Sequence, residues 1–153
     1  MKRLLAIFLI AAGAPALADE PAFRACVAAV DPDAEAAGTK FQRCAASWAA
    51  ECGDRGTAKE AAQCMLDISV ALSAVTEVEF TRLGETLEAA ELAEIRDGVE
   101  TDRMNGDAAC QALRERDEGA GVAAGQTAVN NAFCRVLSAG EAAGAAVVYQ
   151  ARK

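Results

Sequence analysis

Apolar residues recur at helical spacing through most of the chain. Cys64, Ile68, Leu72, Val75, Val78 and Leu83 follow one another at intervals of three to five, which predicts a helix from about Ala58 to Leu83 with one buried stripe. Gly84 interrupts this pattern, and Leu87, Leu92, Ile95 and Val99 then carry it on towards Cys110. That second segment is either a long return arm or a continuation of the first helix bent at the glycine, with Asn105-Gly106 as a weak point. From Glu118 to Gly125 three glycines mark the clearest surface loop. Beyond it Val129, Phe133, Val136 and Leu137 resume the helical period. Ser138-Ala139-Gly140-Glu141 has the form of a capping box, so the segment to Arg152 is a separate helix or a bent extension.

Helix starts are also marked nearer the N-terminus. Pro21 and Pro32 suit first-turn positions, with Asp31 as an N-cap for the second, and the pattern predicts a short helix over Pro21 to Val30. Thr39-Lys40-Phe41-Gln42 and Thr57-Ala58-Lys59-Glu60 both fit the capping box, in which a hydroxyl and a later side chain satisfy free backbone donors. The first of them predicts a helix from about Lys40 to Glu51. Alanine, glutamate, leucine and arginine dominate and three prolines occur, so the fold class expected is all-α: a small helical bundle or helical hairpin with short flanking helices. No internal repeat or low-complexity tail is found.

The first eighteen residues read as a cleavable export signal. Lys2 and Arg3 precede the apolar run Leu4 to Ala12, and Ala16-Leu17-Ala18 supplies the small-residue cleavage motif. The run is too short to span a bilayer, which needs roughly 20 apolar residues. Residues 1–18 are therefore assigned to the signal and 19–153 to one helical domain, made of an N-terminal segment 19–37 and a core 38–153. No second apolar stretch long enough to cross a membrane is expected. Loss of Lys2 and Arg3 leaves 13 Lys and Arg against 23 Asp and Glu, a net charge near −10. Such a surface repels nucleic acid and anionic membranes and suits a basic partner, although solubility alone would be served as well.

Six cysteines without any histidine, behind an export signal, point to disulfides rather than metal or redox chemistry. The residues concerned are Cys26, Cys44, Cys52, Cys64, Cys110 and Cys134. Cys44 and Cys52 are eight residues apart, about 12 Å along a helix, too far to pair with each other. Six cysteines allow 15 pairings. The local set Cys26–Cys44, Cys52–Cys64 and Cys110–Cys134 is favoured, because each bridge would tie one helix end to the next. The absence of Cys-x-x-Cys argues against a thioredoxin-type site, and closely spaced cysteine pairs for zinc are lacking. Met65 and Met104 are too few for a methionine-rich copper site.

Candidate catalytic chemistry is equally sparse. Without histidine there is no Ser-His-Asp or Cys-His system, and no catalytic, cofactor-binding or metal-binding residue is assigned. Glu88, Glu91 and Glu94 share a helix face, with Glu77 and Glu79 close by, and are read as a solvated acidic face. Gly53-Asp54-Arg55-Gly56 follows no strand and connects helices rather than cradling phosphate. Trp48 is expected in the core, since an aromatic carries much of a small core's burial; exposed, it would anchor a partner interface.

The order of these features from Cys44 to Val148 resembles the LprI-type lysozyme inhibitor domain family of small exported bacterial proteins. The residues that carry the likeness are Cys52, Thr57 and Cys64, then Phe80 with Leu83 on a long helix. Asp107-Ala108-Ala109-Cys110 follows at the end of a return helix, and Cys134 with Leu137-Ser138 after a glycine-rich loop. The chain departs from the family where Leu-Asn is usual, having Thr76-Glu77, and where Gln-Arg and a tryptophan are usual, having Val99-Glu100 and Asp102. The resemblance implies a helical periplasmic or secreted protein, not an enzyme, that binds and inhibits lysozyme through acidic side chains or a loop such as Glu118 to Gly125. The competing expectation is a structural or interaction module of the cell envelope with no enzyme target.

Overall fold

A computed structural model describes residues 20–34 and 36–152; the expected export signal, residues 1–18, lies outside them. The described residues form five α-helices and no strand: α1 Glu20–Ala28, α2 Ala37–Ala49, α3 Ala58–Leu83, α4 Ala89–Gly119 and α5 Ala124–Ala151. A 3-10 turn over Ala50–Asp54 follows α2. The protein is thus an all-α, disulfide-stapled fold.

Two of the helix starts expected near the N-terminus differ from the structure. Asp31 caps no helix; its Oδ1 accepts from the Asp33 N–H and closes a local turn, and α2 begins at Ala37. Thr39 therefore lies inside the first turn of α2 rather than ahead of it. Thr57, by contrast, is the N-cap of α3: its hydroxyl accepts from the Glu60 N–H at 3.2 Å and donates to the Glu60 carboxylate at 2.8 Å. At the other end of α3, Gly84 breaks the helix, and α4 is a separate return arm rather than a bent continuation.

The C-terminal helix α5 sits at the centre and touches all four others. Ala58 neighbours Gly125 at one end and Phe80 and Leu83 cluster with Ala142 and Ala146 at the other, so α3 runs parallel to α5. The helix α4 runs antiparallel to it, joined by Cys110–Cys134 and by the approach of Gly106 to Ser138. Also antiparallel is α2, with Phe41 beside Gly144 and Ala45 beside Gly140. Asn105-Gly106 is therefore not a break in α4: the missing side chain at Gly106 lets two helices approach. Ser138 and Gly140 likewise do not start a helix, and α5 is continuous through them. Gly140 and Gly144, one turn apart, form a shallow notch into which α2 fits.

This notch makes a signed prediction. A methyl group at Gly140 would collide with the Ala45 methyl of α2, so Gly140→Ala is expected to destabilise by about 1 to 2 kcal/mol through overpacking. Gly98 lies in α4 with no atom near its missing side chain, so Gly98→Ala is expected to stabilise by about 0.5 to 1 kcal/mol through helix propensity. Chemical denaturation of the two variants would show shifts of the same sign if the notch were not tight.

The main core joins α1, α2, α3 and α5. Phe23 and Val27 of α1 are buried in it, so the N-terminal segment packs on the bundle. Trp48 is buried against Phe23, ring centroids 5.9 Å apart, and is no interface anchor. A smaller cluster joins Phe80 and Leu83 to Val99, Ala142 and Ala146, with Leu92 and Ile95 packed against it. Val78, expected in the buried stripe, is 44% exposed. By length and composition α3 and α5 are each apolar enough to cross a bilayer, contrary to expectation; here their buried faces build the core.

Candidate functional site: an acidic edge on α4

Three bridges hold the helices, Cys26–Cys44, Cys52–Cys64 and Cys110–Cys134, with Cα separations of 5.7, 5.6 and 5.6 Å. These lie inside the range of about 4.4 to 6.8 Å that a disulfide accommodates. No cysteine is free, and no group of metal-ligating side chains comes together among the described residues. The bridges are scaffold, which leaves the acidic residues as the candidate binding chemistry.

The five glutamates singled out in the sequence divide into two environments. Glu79 is 1% exposed and is not part of a solvated face. Its Oε1 accepts from Arg24 of α1 at 2.5 Å and from Arg82 at 2.8 Å. Burial pulls the Arg24 pKa down, but hydrogen bonds to Glu20 and Glu79 outweigh it and hold the pKa above its ordinary value. The partner lies 55 residues away, which local spacing cannot reveal. Register could have revealed the burial: Glu79 is seven residues after Leu72 and four before Leu83, on the buried stripe.

Glu77, Glu88, Glu91 and Glu94 are exposed, and they belong to a larger feature. From Glu85 to Asp102 there are seven acids, all exposed, and one base. Six of them, Glu85, Glu88, Glu91, Glu94, Asp97 and Glu100, occur at every third position. Three residues fall about 60° short of a full helical turn, so within α4 the acids wind across the outer half of the helix. Leu92, Ile95 and Val99 hold the opposite face against the smaller core cluster. The single base, Arg96, turns towards α3: it lies 3.5 Å from Glu77 and 4.9 Å from the centre of the Phe80 ring. At the end of the ridge Glu100 receives two hydrogen bonds from Arg103, which hold its carboxyl below the usual range despite partial desolvation.

The expected loop from Glu118 to Gly125 is smaller than read. Helix α4 runs to Gly119 and α5 starts at Ala124. The turn between is closed by Gly121 N–H to Glu118 O at 3.1 Å and Val122 N–H to Asp117 O at 2.9 Å, with Gly121 at φ +72°. That is a helix-ending motif built on a left-handed glycine, not a protruding segment able to enter a cleft. Asp117 is buried beneath it, accepting from Asn130 Nδ2 at 2.7 Å.

Like charges one helical step apart cost a helix a few tenths of a kcal/mol per pair. The period-three acids therefore work against α4 as a helix. Solubility would be met as well by acids interspersed with bases, as in the second half of the same helix, where Arg103, Arg114 and Arg116 alternate with Asp107, Glu115 and Glu118. What this edge can do is present a dense, rigid negative surface. No family model, curated protein or solved structure matches the chain.

Proposed function

We propose that the acidic edge of α4 is a docking surface for a cationic protein, and that the protein is an exported, non-enzymatic binding module of the lysozyme-inhibitor type. The observation that carries this reading is the unbroken run of outward acids at every third position from Glu85 to Glu100. Opposite charge steers encounter and raises association rates, most strongly at low salt. An edge fixed by the core beneath it loses little entropy on docking. The three disulfides suit an oxidising compartment, in keeping with a periplasmic or secreted location and with the export signal at the N-terminus. The resemblance to the LprI-type family supplies the nature of the target, a basic cell-wall hydrolase such as lysozyme.

The departures from that family favour a second reading. Glu100 and Asp102 stand where the family usually carries arginine and tryptophan, and both extend the acidic edge. An envelope interaction module for a different cationic partner would use the same surface.

One experiment tests both. The oxidised mature protein, Asp19 to Lys153, is titrated into a lysozyme cell-wall turnover assay at low and moderate salt, beside an E94K/D97K double variant. Saturable inhibition is expected that weakens with salt, and the variant is expected to associate at least about tenfold more slowly. Absence of inhibition at both salts, from protein shown to be helical and fully bridged, removes lysozyme as target. Inhibition unaltered in the variant removes the acidic edge as the surface.

A further inference from the structure

We propose that the cleft between the second half of α4 and the first half of α5 binds a small organic monoanion through a carboxylate held by Arg114 and Arg135. The cleft is separate from the acidic edge, and the proposal does not depend on the function assigned there. It is an open cleft of about 390 Å³, lined by Asp107, Ala108, Gln111 and Arg114 of α4 and by Asn131 and Arg135 of α5. Known ligand sites fall at roughly 300 to 1,000 Å³, so a sugar acid or the carboxyl end of a short peptide fits. Its walls are fixed to each other, since Cys110–Cys134 joins the two helices at the same level and Asn131 Nδ2 donates to the Cys110 carbonyl at 2.9 Å.

The lining specifies the ligand chemistry. Apart from Ala108 every lining residue is polar or charged, which excludes an apolar guest. Arg135 is aimed by its neighbours: Nε donates to Asn131 Oδ1 at 3.3 Å, and Nη1 lies 3.8 Å from Asp107 Oδ1. Asp107 is shared with Arg103, whose Nη1 donates to Oδ2 at 3.3 Å, so it neutralises Arg135 incompletely. Arg114 makes no hydrogen bond among the described residues, and its nearest carboxylate, on Glu118, is 3.8 Å away. Two half-exposed guanidiniums thus face one cleft with donors left over, in a chain of net charge −8.

The seven basic residues from Arg82 to Arg152 are all arginine. Arginine's planar fork matches a carboxylate at two points, where lysine offers a single charge. Two guanidiniums against the Asp107 carboxylate leave one positive charge in the lining. That balance suits a monoanion, and Asp107 repels a second negative charge, as on a phosphate dianion. Gln111 donates its amide N–H to Glu115 at 2.9 Å, which leaves its carbonyl oxygen to accept from a ligand hydroxyl or amide.

The test is a titration of the ¹⁵N-labelled, oxidised mature protein with glucuronate, N-acetyl-dialanine, glucose and inorganic phosphate, read by amide chemical shifts. Saturable shifts over residues 107–114 and 131–135 are expected with a carboxylate probe and not with glucose. Glucuronate and the dipeptide distinguish a sugar acid from a peptide end as the natural source. R114Q and R135Q, and the charge-retaining R135K, are each expected to weaken binding by about tenfold, with melting temperatures unchanged because both side chains are half-exposed. Absence of saturation with both carboxylates overturns the proposal, as does binding undiminished in all three variants. Phosphate binding tighter than either carboxylate overturns the assigned class.

Discussion

Reduction of the three disulfides is expected to unfold the protein at ordinary temperature. The bridged cysteines are 18, 12 and 24 positions apart and the segments they close do not overlap, so their effects on the unfolded chain add. In the chain-entropy model loops of this size are each worth roughly 3 kcal/mol, or about 9 kcal/mol together. A domain of this length has a total stability of about 5 to 15 kcal/mol, so most of it depends on the bridges. The core gives a second reason: α5 meets its neighbours largely through alanine and glycine, which bury little apolar area per residue. Near-ultraviolet dichroism from Trp48, which is buried against Phe23, reports the loss directly. Protein that keeps this signal and a cooperative melt in strong reductant would refute the expectation. Bond by bond, Cys26–Cys44 is expected to open first, because Cys26 is exposed while Cys52 and Cys110 are fully buried.

The second large effect concerns Glu79, and it is asymmetric. Arg24→Ala is expected to cost about 2 to 3 kcal/mol, because it strands a buried carboxylate with a single partner, Arg82, which is 54% exposed. Glu79→Met is expected to cost under about 1 kcal/mol, since it removes the buried charge and replaces its volume with an apolar side chain. Arg24, 26% exposed, then keeps Glu20 at 2.8 Å and a route to water. Equilibrium denaturation of the two variants decides the matter: a Glu79→Met cost equal to or above that of Arg24→Ala would mean that the carboxylate is a net stabiliser. The ion pair also joins α1 to α3, so the asymmetry reports how firmly the N-terminal helix is seated.

The fold class was legible in the sequence because apolar periodicity and helix-forming composition agree from Ala58 onward. Thr57 was legible for the same reason, since a capping box ahead of a strong stripe leaves one choice. Thr39, and Ser138 with Gly140, carry the same local pattern and mislead, because packing overrides it. Gly140 is a point of contact with α2, and nothing within five residues of it records that α2 lies there. Val78 and Glu79 were exchanged in the same way. Residue type favoured valine inside and glutamate outside, whereas the helix register set by Leu72, Val75 and Leu83 places the glutamate inward, where Arg24 meets it. The acidic edge is half visible in the sequence: spacing alone puts Glu88, Glu91 and Glu94 on one face, but the period of three becomes a surface only where Leu92, Ile95 and Val99 point inward. The arginine cleft had no sequence signal, because it exists only where α4 and α5 run side by side.

The bridges have one more property, which lies in their order. Reading from the N-terminus, the first cysteine pairs with the second, the third with the fourth and the fifth with the sixth. A chain whose cysteines become available from the N-terminus onward completes each pair before the next cysteine appears. An oxidant that joins thiols as they emerge therefore makes the native set at the first attempt, with no crossed intermediate to undo.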